Sequence, residues 1–229
     1  MNYDPIARNY DWLSRLVFGR SQVRAQTSLL PFIPAGSRIL IVGGGTGWIL
    51  DELSALHPGG LSIDYVEASA KMTELARTKN RGENSITFHT LPVLDFQSDA
   101  KYDAVLTFFL FDNFPQEEAN RVFGHIESLL APGALWLYAD FTPENSASPF
   151  WQTFLFRLMY LFFRLICRIP ARRMPDMGDV FSTAFHLKQH RTLYGGFIES
   201  KLFVGAQRNN TAARSPAHPP ANPRSDTEY

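Results

Sequence analysis

One cysteine, Cys167, is all the thiol in this chain. No disulfide framework and no cysteine-rich metal site can be built from it, so packing alone must hold the fold. Charge of one sign is also lacking, since 22 basic residues face 22 acidic ones. Such a balance gives no global pull on polyanions, and a nucleic-acid partner is not expected. The opening Met1-Asn2-Tyr3-Asp4-Pro5 has neither a basic n-region nor an apolar h-region. No signal peptide is expected there, and the expected location is cytoplasmic. The longest apolar run, Phe150–Ile169, is interrupted by Arg157, Arg164 and Arg168. A central arginine costs about 2.5–3.5 kcal/mol on insertion scales, which argues against a transmembrane span. The six histidines are scattered. His186 and His190 are four apart, but in a strand-like pattern rather than on a helix, so no metal site is expected. No internal repeat is present.

What the chain has in quantity is apolar bulk. Forty-five per cent of its 229 residues are apolar, 19 of them Phe, enough for one large domain with its own core. Residues 1–36 read as helical, with apolar spacing of three and four over Asp11–Phe18 and Gln22–Leu30, closed by Pro31 and Pro34. Strand and helix then alternate. Strands are expected over Arg38–Val42, Leu61–Val66, Ser85–His89, Asp103–Phe109 and Ala134–Ala139. Helices are expected over Trp48–Leu56, Ala70–Lys79 and Gln116–Leu130, with breaks at His57-Pro58-Gly59-Gly60 and Ala131-Pro132-Gly133. This alternation implies parallel βαβ units with right-handed crossovers. A long aromatic helix follows over 149–169. Two alternating segments, His186–Tyr194 and Phe197–Val204, meet at Gly195-Gly196 as a tight hairpin. From Asn209 onward the chain is polar and Pro-rich and is expected to be disordered.

The chemistry begins at Gly43-Gly44-Gly45-Thr46-Gly47, a turn between a strand and a helix. Glycine serves where backbone must touch a ligand or adopt positive φ. In open α/β sheets the ligand crevice lies beyond the carboxyl ends of the strands. A dinucleotide fingerprint, G-x-G-x-x-G, would need its third glycine where Trp48 stands. The spacing here is instead G-x-G-x-G, through Gly43, Gly45 and Gly47. A P-loop is excluded because no Gly-Lys-Ser/Thr follows. Glu67 ends the expected second strand, twenty residues after Gly47, where an acid would accept hydrogen bonds from ribose hydroxyls.

These residues resemble class I S-adenosylmethionine-dependent methyltransferases, and within them the ubiquinone/menaquinone C-methyltransferase-like group. The leader Tyr3-Asp4-Pro5-Ile6-Ala7-Arg8-Asn9-Tyr10-Asp11, the glycine turn, and Glu67-Ala68-Ser69-Ala70-Lys71-Met72 carry the likeness, and Tyr102-Asp103-Ala104-Val105-Leu106 adds to it. The resemblance covers about residues 3–140. It implies a Rossmann-like α/β fold with a seven-stranded, mostly parallel sheet, helices on both faces and an antiparallel C-terminal hairpin. It implies one methyltransferase domain over 1–208, made of a helical lid (1–36), a cofactor-binding core (37–140), an aromatic and basic lid helix (141–180) and the hairpin (181–208). The tail is 209–229. The implied cofactor is S-adenosylmethionine, with Gly43, Gly45 and Gly47 under its methionine part and Glu67 on the ribose. Ala68 would sit beside the adenine, Tyr10 would close over the site, and Thr107 and Phe108 would line the pocket. The acid that the family often carries after strand three is missing from His89-Thr90-Leu91-Pro92. Adenine contact would then fall to backbone near Leu91.

Methyl transfer is an in-line displacement, and a base is needed only if the acceptor loses a proton as it attacks. Asp112, Asn113 and Asp140 are candidates beyond the sheet edge. Asp112 would orient the acceptor or act as base, or it would cap the helix that Pro115 opens. Over Pro149–Arg173 there are five arginines, and no acid occurs between Glu144 and Asp176. Three readings of this segment stand. It is a lid packed on the core with solvated arginines, a cap on a greasy substrate pocket, or a helix lying on an anionic membrane surface through 150–173. The leading expectation is methyl transfer to a small, apolar or aromatic acceptor. A NAD-dependent oxidoreductase and a non-catalytic binding protein of the same fold are the alternatives.

Overall fold

Five parallel strands make the centre of the sheet: β1 (Arg38–Val42), β2 (Gly59–Glu67), β3 (Glu83–Thr90), β4 (Tyr102–Phe108) and β5 (Leu130–Phe141). Two more, β6 (Phe185–Leu193) and β7 (Ile198–Gly205), extend it antiparallel. The spatial order is β3-β2-β1-β4-β5-β7-β6. In this computed structural model residues 4, 7, 10–143, 150–167, 171 and 173–206 are described, without the side chains of 10, 11, 13, 14, 159, 160 and 162–167. The expected tail over 209–229, most of the leader, and the side chains of Arg164, Cys167, Arg168 and Arg172 lie outside the described residues.

The period-two side-chain pattern of the strands divides the core in two. Leu40, Val42, Val66, Val105, Trp136 and Tyr138 face one layer, which α5 (Gln116–Ser128) covers with Val122, Phe123 and Ile126. Ile39, Ile41, Ile63, Ala104, Leu106 and Leu137 face the other, beneath α3 (Trp48–Leu56) and α4 (Ala70–Arg77). Strands buried on both faces are largely apolar, which is why Ile39–Val42 of β1 and Ala104–Leu106 of β4 are apolar runs. On the first layer Trp136 stacks on Phe123 at 4.9 Å, and Phe181 stacks on Phe203 at 4.2 Å. Phe181 belongs to α7 (Gly178–Ala184). The amino-terminal α1 (Tyr10–Phe18) and α2 (Ser21–Thr27) and the aromatic α6 (Phe150–Cys167) lie toward β5 and β7. A third cluster joins Phe18, Ala25, Phe141, Phe156 and Phe197 there.

Several boundaries differ from the sequence reading. β5 begins at Leu130 and takes in Ala131-Pro132-Gly133, where the sequence predicts a break. Tyr102 pairs with Leu130 and Ala104 with Leu135, so an irregularity absorbs the proline that cannot donate to the ladder. β2 likewise starts at Gly59 inside the expected break. The hairpin is not closed by two glycines alone. A 3₁₀ turn over Tyr194–Gly196 joins β6 to β7, with Tyr194 at φ 52° and Gly195 at φ 62°.

Within the sheet, apart from the glycine turn, Asp64 of β2 gathers three partners. Arg38 Nη2 lies 3.0 Å from it, Tyr102 Oη donates at 2.9 Å, and His89 Nε2 lies 2.8 Å away. Burial opposes the charge on Asp64, but these hydrogen bonds outweigh it and hold the carboxyl below its ordinary value of 3.8. This group ties four strands together and lies apart from the cavity.

Candidate active site

The carboxyl ends of β1 and β2 carry the site. β1 ends at Val42, and the chain turns at once through Gly43, whose N–H donates to the carbonyl of Val66 at 2.8 Å. That bond pins the glycine turn to the end of β2. Gly45 has φ 63°, and a Cβ built on it would meet nothing within 4 Å. Its backbone therefore borders open space, in a conformation that disfavours any side chain. Gly47 is different. Its φ is 79°, but a Cβ there would fall 2.5 Å from the Cβ of Ala76 on α4. Gly47 allows α3 and α4 to approach each other and is absent from the cavity wall. Tyr65 completes the support by donating its hydroxyl to the Gly45 carbonyl at 2.9 Å.

Glu67, the last residue of β2, is buried. Its Oε2 accepts the Gly45 N–H at 2.9 Å and its Oε1 accepts the Ser69 N–H at 2.8 Å. Burial raises its pKa above the ordinary 4.5, against the lowering effect of N–H donors from Ser69, Gly45 and Ala68. Each carboxylate oxygen has more than one lone pair, so further donors can be accepted from the cavity side. Ser69 caps α4 by accepting the Met72 N–H at 3.1 Å, and its hydroxyl donates to Asp4 at 2.5 Å. The leader is thus tied directly to the acid motif.

Beyond these groups lies a cavity of about 420 Å³. Gly43–Thr46 and Glu67–Ser69 form one side of it, Leu91–Leu94 another, and Phe109, Leu110, Asn113 and Phe114 a third. This is within the size range of small-molecule sites, and it opens where the strand order reverses between β1 and β4.

Comparison with known proteins decides the class. A family described as "Methyltransferase domain" matches residues 39–133, which contain the whole wall described above. The ubiquinone/menaquinone biosynthesis C-methyltransferase of Geotalea daltonii is 27% identical over 187 residues, 79% of this chain and 73% of that protein. The malonyl-[acyl-carrier protein] O-methyltransferase 2 of Ilyobacter polytropus is 26% identical over 107 residues, 47% of this chain, and the match spans only 40% of that relative. In fold, the chain is similar to magnesium protoporphyrin IX methyltransferase from Synechocystis with bound S-adenosylhomocysteine. The TM-score is 0.56 at 14% identity, over 81% of this chain and 83% of the other.

The chain belongs to the class I S-adenosylmethionine-dependent methyltransferases.

The methyltransferase takes S-adenosylmethionine, and the cavity has the features that cofactor requires. These are an acid at the end of β2, backbone open to a ligand at Gly45, and apolar walls on either side. Trp48, which stands where a dinucleotide fingerprint needs glycine, lines the cavity at the start of α3. Nothing in the comparisons supports the NAD-dependent alternative. No group of metal-binding side chains is found among the described residues. No helix among them is long and apolar enough to cross a membrane.

Of the expected site residues, Gly43, Gly45, Glu67, Ala68 and Leu91 stand on the cavity wall. Thr107 and Phe108 do not. Thr107 is fully buried and its hydroxyl accepts the Trp136 Nε1–H at 2.7 Å. Phe108 packs into the core clusters. β4 ends at Phe108, one residue before the expected end, and the chain leaves it through Phe109 at φ 53°, which turns Phe109 and Leu110 toward the cavity. Tyr10 begins α1, but its side chain lies outside the described residues. Asp112 sits in a 3₁₀ turn over Phe111–Asn113, off the cavity wall. It does not cap the following helix, whose N-cap is Pro115 with no side-chain bond. Its neighbour Asn113 lines the cavity, donating to the carbonyls of Phe109 and Leu110 and to Asp112 Oδ1. Asp140 is fully buried behind this loop and accepts the N–H groups of Phe111 at 3.0 Å and Phe141 at 2.9 Å. Burial is the main reason its pKa rises to about 8, with Glu199, its cross-strand neighbour, adding to the rise. Phe114, Glu118 and Met72 also line the cavity. Only the apolar run after β4 hinted at that wall in the sequence.

Proposed function

We propose that this methyltransferase transfers a methyl group to a small, apolar or aromatic acceptor held at the Phe109–Phe114 side of the cavity. The observation that carries the reading is the character of that wall. Phe109, Leu110 and Phe114 are apolar, and Asn113 is the polar side chain among them. We also propose that the other two walls hold the cofactor. Glu67 would accept the ribose hydroxyls, Gly45 would pass beneath the methionine part, and Ala68 and Leu91 would flank the adenine. The chain from 1 to 208 would act as one domain, with 209–229 as a tail.

S-adenosylmethionine supplies an electrophilic methyl group on a sulfonium centre. The protein's share is positioning: the turn and Glu67 fix the donor, and the Phe109–Phe114 loop presents the acceptor in line. Among the described residues no carboxylate but Glu118 stands on the acceptor wall, and Asp112 and Asp140 serve behind it to hold the loop. This arrangement favours acceptors that need little help in losing a proton. The relatives include a C-methyltransferase and an O-methyltransferase, so the acceptor atom is not fixed by likeness. The test is incubation of the full chain with methyl-labelled cofactor and two panels of acceptors, lipophilic aromatic hydroxy-compounds and polar amines. Transfer to members of the first panel is expected. Transfer confined to the polar amines would overturn the acceptor reading.

A further inference from the structure

Large apolar side chains are exposed mainly in one place. Trp12 and Leu16 on α1 are each 66% exposed, and on α6 Phe150, Phe154, Leu158 and Leu161 range from 53% to 84%. Elsewhere among the described residues only Phe32, Leu56 and Leu187 are comparable, and they are scattered. The spacing places each set on one stripe of its helix, with steps of four in α1 and of four, four and three in α6. The inward side of α6 is satisfied separately. Phe156 packs on Phe197 at 4.4 Å, and Gln152 donates to the Gly195 carbonyl at 3.0 Å. α1 is anchored to the same turn, because the Tyr194 hydroxyl donates to the Val17 carbonyl at 2.9 Å and Phe18 stacks on Phe197. The two outward stripes therefore flank one rigid turn at the end of the sheet where the cavity opens.

Charge selects the occupant. The charged side chains described on α1 and α6 are Arg15 and Arg157, both exposed. A second copy of the chain would set this basic surface against itself, which a two-fold interface makes unfavourable. Apart from the Trp12 indole N–H, the described side chains of the stripes offer no hydrogen-bonding group to specify a protein partner, and an indole suits the headgroup boundary of a bilayer. We propose that the α1–α6 face docks on an anionic lipid bilayer surface, its apolar stripes entering the headgroup boundary and its arginines contacting the anionic headgroups. The proposal does not depend on the identity of the acceptor.

The test is flotation of the full chain with vesicles of phosphatidylcholine alone and of phosphatidylcholine mixed two-to-one with phosphatidylglycerol. Partition onto the mixed vesicles is expected to exceed that onto the neutral ones by about tenfold. The double variant Phe154→Ser, Leu158→Ser is expected to lose about tenfold or more of the wild-type partition, since each side chain loses the gain from its burial. Brominated acyl chains should quench Trp12 and Trp151 fluorescence, and should leave the buried Trp136 unquenched. Binding of S-adenosylhomocysteine, measured in parallel, should be unchanged in the variant, which shows that it folds and separates this test from the cofactor assignment. Failure to float with either vesicle would overturn the proposal. So would a dimer in solution that the same two substitutions dissolve.

Discussion

At the ends of β1 and β2 the cavity is made of backbone and one acid, whereas beyond β4 and β5 its surroundings are aromatic rings. Gly43–Gly45 and Glu67 present N–H groups, carbonyls and a carboxylate in fixed geometry, each held by a second bond: Gly43 to Val66, Gly45 to Glu67 and Tyr65. On the other side Phe109 contacts Phe141 at 5.1 Å, and Phe141 contacts Phe18, Phe156 and Phe197. Directional groups recognise one ligand well, while ring packing accommodates many shapes. A donor common to a whole enzyme class suits the first kind of wall, and an acceptor that varies between relatives suits the second.

Four changes would break or sharpen this contrast, beginning with the largest effect. Glu67→Ala removes the charged acceptor and leaves the N–H groups of Gly45 and Ser69 without it. Affinity for S-adenosylhomocysteine should fall about a hundredfold or more by calorimetry, in line with about 1.5–3 kcal/mol for each charge-assisted bond. Asn113→Ala acts on the other wall. It should lower kcat/KM for the acceptor about tenfold through the loosened Phe109–Leu110 loop, with cofactor affinity changed less than about threefold; equal losses in both would erase the division between the walls.

The third change concerns pH. The Asp140 carboxyl keeps its proton in the folded chain up to about 8, whereas the unfolded chain releases it near 3.8. Its contribution to stability is therefore complete below the lower value and is lost as pH rises through the upper one. Urea midpoints should fall between pH 4 and 8, with a slope of at most about 1.4 kcal/mol per unit from this group. Asp140→Asn should flatten the decline, and an unchanged slope would assign it elsewhere. The smallest effect is expected for Phe154→Ser alone, which should alter stability by no more than about 0.5 kcal/mol because the ring is already in solvent.

The cofactor half was the more legible from sequence. A strand that ends in glycine, followed by an acid at the end of the next strand, is a local pattern, and the local geometry decides both positions. Gly47 shows the limit of such reading. It belongs to the motif, but its role is set by Ala76 on α4, which the motif does not contain. Thr107 and Phe108 lie off the cavity wall for a related reason. The side-chain direction at the end of β4 depends on where the chain leaves the strand, and the left-handed conformation of Phe109 carries no sequence signal. α7 went unseen because seven residues are too few to show a period; Phe181 fixes it by packing against Trp136 and Phe203. Of the three readings of α6, core packing holds for its Gln152 and Phe156 side, and its outer stripe needed coordinates to be found at all.

Titration of the full chain with S-adenosylmethionine, S-adenosylhomocysteine and NAD in a calorimeter bears most directly on the role given to the glycine turn and Glu67. The expected result is single-site binding of the first two, none of the third, and loss of that binding when Gly45 is replaced by Val in a protein that still unfolds cooperatively. NAD binding in place of the methyl donor, or full affinity in the Gly45→Val protein, would contradict it.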